Sequence, residues 1–189
     1  VTMTQTPLRV ALLGCGTVGT AVAGALVSRS ALYTKRVGRP LELAGIAVRD
    51  TAKPRDLGVV SSALLTDDPS SLIDDADLVI EVMGGIEPAQ SLIEQALRAG
   101  KPVVTANKQL LAASGPHLHA VADEHGTTLD YEAAVVAAVP VVRVVRDALS
   151  GDRITSISGI VNGSTNYVLD MVARHGMGFA EAVEQAGAL

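Results

Sequence analysis

Short unbroken apolar runs alternate along most of the chain with longer stretches in which apolar residues recur every three or four positions. An unbroken aliphatic run suits a strand covered on both faces, and the longer spacing suits a helix with one buried face. Leu8 to Leu13 is the first such strand, ending in the turn Gly14-Cys15-Gly16-Thr17-Val18-Gly19. Val18, Val22, Leu26 and Val27 mark the helix behind it. Leu41 to Val48 reads as a second strand and Leu64-Leu65 as a weak third. Asp77 to Val82 predicts a buried strand that runs into Gly84-Gly85. Pro88 opens a helix with Leu92, Ile93, Ala96 and Leu97 on one face, and Gly100 lies just past its end. Val103 to Thr105 is the next strand, followed by a helix to about Glu124 with a break expected near Gly115-Pro116. Thr127 to Tyr131 gives one more strand.

This β-α-β alternation predicts a Rossmann-type, doubly wound parallel sheet over residues 1–131, with helices on both faces. After Glu132 the texture changes. Val135 to Leu149 reads as a long helix with Pro140 in its first turns, and Ile154 to Val161 as a strand. Asn162 to Thr165 is a turn feeding a helix to about His175, and Phe179 to Ala186 is a short helix. Residues 132–189 are therefore expected to begin a second, α+β domain. No internal repeat or low-complexity segment is present.

Composition narrows the class. A chain of 189 residues can bury one good core, or one domain and part of another. Hydrophobic residues make up 48% and charged residues 19%, which fits a globular protein rather than a disordered one. There is no tryptophan, so the core has to be built from Val, Leu, Ile and Ala. A net charge of −5 without any basic cluster argues against nucleic acid or an anionic membrane as partner. No apolar stretch spans a membrane, the amino end shows no signal-peptide pattern, and the single cysteine excludes an intrachain disulfide framework. The expectation is a soluble cytoplasmic protein that works on a small molecule.

The candidate chemistry lies at strand ends. In the first turn, Gly14 permits the tight bend, Gly16 lets backbone approach a pyrophosphate, and Gly19 lets helix and strand pack closely. Thr17 and Val18 begin a helix whose free N–H groups and partial positive charge suit phosphates. The plainer alternative is a glycine turn with no ligand. After the second strand, Arg49 and Lys53 suit the 2′-phosphate of NADP, while Asp50 keeps NAD open by offering a partner to ribose hydroxyls. The spacing from Gly14 to Asp50 exceeds the usual ~20 residues, as expected from a longer helix–strand connection over 28–40. Gly84 and Gly85 either leave room for a nicotinamide ribose or simply cap the strand.

Thr105-Ala106-Asn107-Lys108 ends the neighbouring strand, at the rim where such sheets bind ligands. An ammonium is costly to desolvate without a partner, so Lys108 is the candidate for binding substrate and donating a proton. A solvated helix start is its plain alternative. Glu132 and the residues to Pro140 offer a carboxylate and carbonyls to a hard cation, although a glutamate at a helix start is the simpler reading. His117, His119, His125 and His175 lack partners at metal-ligand spacing and are expected at the surface or at helix ends. Cys15 reads as a small turn residue. Asn162-Gly163-Ser164-Thr165 presents backbone N–H groups to an anion, or serves only as a helix cap.

Taken together, these residues resemble homoserine dehydrogenases. The resemblance rests on the glycine turn, on Ala106-Asn107-Lys108-Gln109-Leu110-Leu111-Ala112, on Tyr131-Glu132-Ala133 running to Pro140, and on Asn162 to Tyr167, in that order and spacing. It implies reversible reduction of L-aspartate 4-semialdehyde to L-homoserine with NADPH or NADH, in threonine, methionine and isoleucine biosynthesis. It further implies that Gly14, Gly16, Thr17, Val18, Gly19, Arg49, Lys53, Gly84, Gly85, Thr105, Ala106, Asn107 and Lys108 form the cofactor site. Lys108 is then one of the family's two active-site lysines, catalytic and substrate-binding, and Gly163 and Ser164 contact the substrate. Glu132, with carbonyls of Val135 and Ala137, holds a monovalent cation such as sodium, and the protein is a homo-oligomer, dimer or tetramer. Two departures stand out. Alanine and valine follow Glu132 where the family places glycine near Ala137. The family's Gly-Tyr-Ala-Glu-Ala-Asp-Pro and Asp-x-x-x-Lys segments lie beyond Leu189, so residues 132–189 are expected to be a truncated start of the substrate and dimerisation domain. Another amino-acid reductase on the same scaffold, such as an aspartate dehydrogenase, and a non-catalytic dinucleotide-binding fragment or sensor are the alternatives.

Overall fold

The computed structural model describes residues 6–188. Six strands, β1 (Leu8–Leu13), β2 (Leu41–Ala47), β3 (Leu65–Thr66), β4 (Leu78–Glu81), β5 (Val103–Thr105) and β6 (Leu129–Asp130), form one parallel sheet in the order β3-β2-β1-β4-β5-β6. The chain first winds outward from β1 to β3, then returns to the other side of β1 and winds outward again. The direction therefore reverses between β1 and β4, which is the Rossmann order. Within the strands, alternate residues face opposite layers. Ala11 and Leu13 point to one core, with Val79, Val103 and Leu129, while Leu12 points to the other with Leu43 and Ile46.

The helices divide accordingly. The first layer is covered by α3 (Pro69–Asp74), α4 (Ala89–Arg98) and α5 (Lys108–Glu124), through Leu72, Ile73, Ile93, Leu97, Leu110 and Leu118. The other layer is covered by α1 (Thr17–Ser28), through Ala23, Val22 and Leu26. Each fully buried Leu or Ile contributes roughly 1.5–3 kcal/mol. Between α1 and β2 lies a further helix, α2 (Ser30–Val37), closed by Gly38 at φ 84°. This extra element accounts for the long interval between the first turn and Asp50.

Pro116 sits inside α5 without ending it. A proline there forfeits one hydrogen bond and costs ~3 kcal/mol. The buried face of Leu110, Leu118, Val121 and Ala122, together with ties to α4, offsets that cost. Those ties run from Ser114 Oγ to Gln90 (2.8 Å) and from His117 Nε2 to Glu94 (3.0 Å).

The chain divides into two compact units, one to Ala134 and one from Val135. The expected long helix over 135–149 is not one helix. A short α6 (Glu132–Val136) stops where Ala137 takes φ 51°, and α7 (Val141–Arg143) continues into a wider π turn over Val144–Ala148. Pro140 explains the interruption, because its ring excludes a helical path through the residues just before it. The strand expected over Ile154 to Val161 is also absent. Its apolar side chains are exposed, Ile157 at 67% and Ile160 at 70%, and no described strand of that unit pairs with it. Two helices complete the unit, α8 (Gly163–His175) and α9 (Phe179–Ala188), joined by buried Val168 and Ala182 and by Tyr167 Oη donating to Gln185 (3.1 Å).

The amino-terminal rim of the sheet is tied by one ammonium. Lys101 Nζ donates to the carbonyls of Ile73 (2.7 Å), Asp74 (2.6 Å) and Ala76 (2.7 Å), where α3 ends. A cation at a helix carboxyl end also meets the negative pole of its dipole. Replacing Lys101 by methionine leaves three carbonyls to water and is expected to lower stability by about 2 kcal/mol, measured by urea unfolding. A second prediction concerns pH. Glu94 is held below the usual carboxylate range, first by the Gln90 amide and then by His117 and Arg98. A depressed folded-state value stabilises the fold above the ordinary glutamate range, and this contribution disappears as pH falls through the folded value. Glu94→Gln should therefore flatten the loss of thermal stability below about pH 4, a change read from melting curves across pH.

Candidate active site

Three loops meet at the carboxyl ends of β1, β4 and β5. The first is the glycine turn. Gly14 takes φ 107° and donates its N–H to Ala47 O (3.0 Å), and a Cβ there would lie 3.0 Å from the Met83 backbone. At Gly19 a Cβ would come within 2.2 Å of Gly14 O, so only glycine lets α1 seat on the turn. Gly16 differs from both: a Cβ there would meet nothing within 4 Å. It precedes α1, whose first turn, Thr17-Val18-Gly19, carries no side-chain cap and no acidic residue. Thr17 and Val18 are exposed. The turn thus leaves open space over Gly16 in front of a positive helix end, the environment that suits a pyrophosphate. Cys15 is half-buried inside the turn, with Sγ 3.6 Å from Thr20 Oγ1.

The second loop follows β4. Gly84 and Gly85 take φ 75° and 78°, successive left-handed conformations that cost other residues roughly 1–2 kcal/mol each. Beneath them lies Glu81, the last residue of β4, with no exposed surface. Its Oε1 accepts from the N–H groups of Met83 (2.7 Å) and Gly84 (3.3 Å). Its Oε2 accepts from Thr105 Oγ1 (2.5 Å) on the neighbouring strand. Glu81 was not among the residues that the sequence singled out. An acidic residue closing an apolar run just before Gly-Gly was the available signal, because a buried carboxylate needs N–H donors and a tight turn supplies them.

The third loop, Thr105 to Lys108, extends β5. Ala106 N–H reaches Glu81 O (3.1 Å), and buried Asn107 caps α5 by accepting from Leu110 N–H (3.1 Å). Lys108 is the first residue of α5 and is exposed. A cation at this position opposes the helix dipole, so local helix energetics do not explain it. On the far side of the glycine turn, beyond β2, Asp50 Oδ1 is engaged by its own loop, accepting from Ala52 N–H (2.9 Å) and Lys53 N–H (3.2 Å). Arg55 bonds the carbonyls of Asp50 and Lys53. Arg49 and Lys53 are exposed.

The remaining predicted residues lie elsewhere. Gly163 and Ser164 begin α8 in the second unit, behind the cap made by Asn162 Oδ1 and Thr165 N–H (2.8 Å). Asparagine rather than a hydroxyl makes that cap. Glu132 opens α6; Val135 and Ala137 belong to the second unit. Among described non-glycine residues, Ala137 is the one with positive φ, at the place where the resemblance expects glycine. The described residues contain no group of three or more His, Cys, Asp or Glu able to hold a metal ion. Two surface depressions of about 280 Å³, one beside α3 and one at Leu111, Gly115, Pro116, His119 and Tyr131, include none of the crevice residues.

Comparison with known proteins identifies the family. Residues 14–132 match the family described as "Homoserine dehydrogenase, NAD binding domain", and residues 140–189 match "Homoserine dehydrogenase". The chain is 46% identical over 179 residues to the homoserine dehydrogenase of Corynebacterium glutamicum, covering 94% of this chain and 40% of that protein. It superposes on the crystal structure of a homoserine dehydrogenase from Thiobacillus denitrificans with a TM-score of 0.85 at 36% identity, covering 97% of this chain and 42% of that one. A hyperthermophilic archaeal homoserine dehydrogenase solved in complex with NADPH gives 0.76 at 25% identity, covering 97% and 61%. The chain spans about two fifths of the length of the curated relatives it matches. Its amino-terminal unit is a dinucleotide-binding Rossmann domain, and the chain belongs to the homoserine dehydrogenase family.

Proposed function

We propose that this chain carries the cofactor site and the first substrate contacts of an NAD(P)H-dependent enzyme that interconverts L-aspartate 4-semialdehyde and L-homoserine. The observation that carries this reading is the place of Lys108: an exposed ammonium at the carboxyl end of β5, beside the strand that leads into the Gly84-Gly85 loop, at the rim next to the β1/β4 reversal. When bound, the reduced nicotinamide supplies the hydride. Gly14 to Gly19 hold the pyrophosphate, and Gly84 and Gly85 give the nicotinamide side a backbone surface. Lys108 orients the aldehyde and donates a proton to its oxygen as negative charge develops there. The negative charge that develops on the aldehyde oxygen also offsets the unfavourable meeting of Lys108 with the helix dipole. A substrate contact by Gly163 and Ser164 rests on the sequence resemblance.

NADP is the preferred cofactor in this reading. Asp50 spends one carboxylate oxygen on its own loop, which leaves Arg49 and Lys53 to meet a 2′-phosphate. The NADPH bound by the archaeal relative supports the same choice. The assignment of a monovalent cation to Glu132 and the carbonyls of Val135 and Ala137 rests on sequence resemblance, as does a homo-oligomeric state, while a cytoplasmic location rests on composition, with a single cysteine as is ordinary in a reducing compartment.

Two experiments test the proposal. Gly16→Ala adds a methyl group to open space and should cost less than ~1 kcal/mol of stability while weakening NADPH binding at least about tenfold. Gly19→Ala should instead destabilise the fold by roughly 1–3 kcal/mol, because its Cβ has nowhere to go. Thermal melts and nicotinamide fluorescence titrations separate the two effects. In NADPH oxidation with aspartate semialdehyde, Lys108→Ala should lose on the order of a hundredfold or more in turnover. Arg49→Ala should weaken NADPH by about tenfold and leave NADH unchanged. Cofactor binding without semialdehyde-dependent turnover would reduce the chain to a nucleotide-binding unit.

A further inference from the structure

We propose that Glu81 is a positioning residue that locks the Gly84-Gly85 turn to the start of α5, so that the nicotinamide end of the crevice is set as one piece. The proposal rests on the dinucleotide-binding reading of that crevice. Its basis is a closed circuit of hydrogen bonds. Glu81 Oε1 accepts from the N–H groups of Met83 and Gly84, and Oε2 accepts a hydrogen bond from the Thr105 hydroxyl. With its proton committed, Thr105 Oγ1 accepts from Asn107 N–H (3.0 Å). The Asn107 side chain then donates through Nδ2 to Gly85 O (2.6 Å), which returns the circuit to the turn. Its other end, Oδ1, caps the helix that Lys108 begins.

Sheet formation does not require this arrangement. The backbone ladder already pairs β4 with β5 at Val79 and Val103, Ile80 and Val104, and Glu81 and Thr105. An apolar side chain at the end of β4 would avoid burying a carboxylate whose hydrogen-bond partners are all neutral, a burial that is costly in itself. The carboxylate does something that an apolar residue or an amide cannot. It accepts on both oxygens from donors in two separate loops, and so fixes the turn relative to Lys108. Glutamine would point an amino group at Thr105 Oγ1 and reverse the polarity of that link. Glu81 contacts the Gly84-Gly85 side of the crevice and makes no hydrogen bond to the Gly14–Gly19 turn or to Arg49. Met83, whose N–H Glu81 holds, also packs against Gly14, so the effect should be largest at the nicotinamide end and smaller at the glycine turn.

The test compares wild type, Glu81→Gln, Thr105→Val and Thr105→Ser for binding of NADPH and of 2′-phospho-ADP-ribose, which lacks the nicotinamide. NADH and ADP-ribose are run as the matching unphosphorylated pair. Glu81→Gln and Thr105→Val should bind the whole cofactor about tenfold more weakly, ~1.4 kcal/mol, with the truncated ligand weakened about threefold at most. Thr105→Ser keeps the hydroxyl that reaches Glu81 and should recover whole-cofactor binding relative to Thr105→Val. Equal weakening of both ligands, or none of either, would overturn the positioning role while leaving the dinucleotide site intact. Should Glu81→Gln not fold, Thr105→Val cuts the same link from the other strand. Loss of the fold in both variants would show that the link holds the sheet rather than the turn, and would also overturn the proposal. Wild type that binds neither ligand refutes the dinucleotide reading, and the positioning role with it.

Discussion

A carboxylate withdrawn from water must find donors, and at Glu81 that requirement governs how the centre of the sheet ends. Two of its donors are N–H groups only two and three residues further along the chain. For these to point back at the side chain, the backbone has to curl under itself directly after β4, and Gly84 and Gly85 accept the left-handed conformations that follow. The third donor comes from β5, so the curl of one loop is referenced to the strand beside it. An unsatisfied carboxylate here would cost several kcal/mol, more than any one of these turns costs to form.

The reversal of winding between β1 and β4 supplies the space that this turn helps to line. Loops leaving adjacent strands in opposite senses part from each other and leave a crevice. Gly14 brings the first loop close against Met83 of the second, and Gly19 draws α1 down onto Gly14. The crevice is thus floored by backbone on both sides. Such a floor offers N–H groups and little steric bulk, which suits a long, anionic, flat ligand.

Much of this was legible in the sequence, because strands buried on both faces read as plain apolar runs and the glycine turns stand directly after them. Leu8 to Leu13 and Val103 to Thr105 lie where the pattern put them, and the loop residues Gly14, Gly84 and Lys108 come to one rim because the sheet is parallel. Glu81 escaped notice because a single acidic residue in an apolar strand has no periodic signature; its meaning depends on Thr105, 24 residues away. Between Glu132 and Val161 pattern and structure part company, whereas the helices after Asn162 and from Phe179 stand where the pattern put them. Apolar content in Val135 to Leu149 suggested one helix, but the backbone restriction imposed by Pro140 outweighs helix propensity. Ile154 to Val161 has the composition of a strand, yet a strand exists only through a neighbour to pair with.

The three carbonyls gathered by Lys101 stand at the opposite rim from the glycine turns. Arg9 adds to them, with Nε on Asp75 O (2.8 Å) and its backbone N–H on Asp77 (2.8 Å). One edge of the sheet is therefore fastened by cations closing over strand beginnings, while the other is left to glycine and backbone. Rigidity and ligand access are assigned to different ends of the same strands. Sequence change that strengthens or loosens the fastened edge can accumulate without passing through the crevice, so heat resistance in this domain is free to drift independently of what the crevice binds.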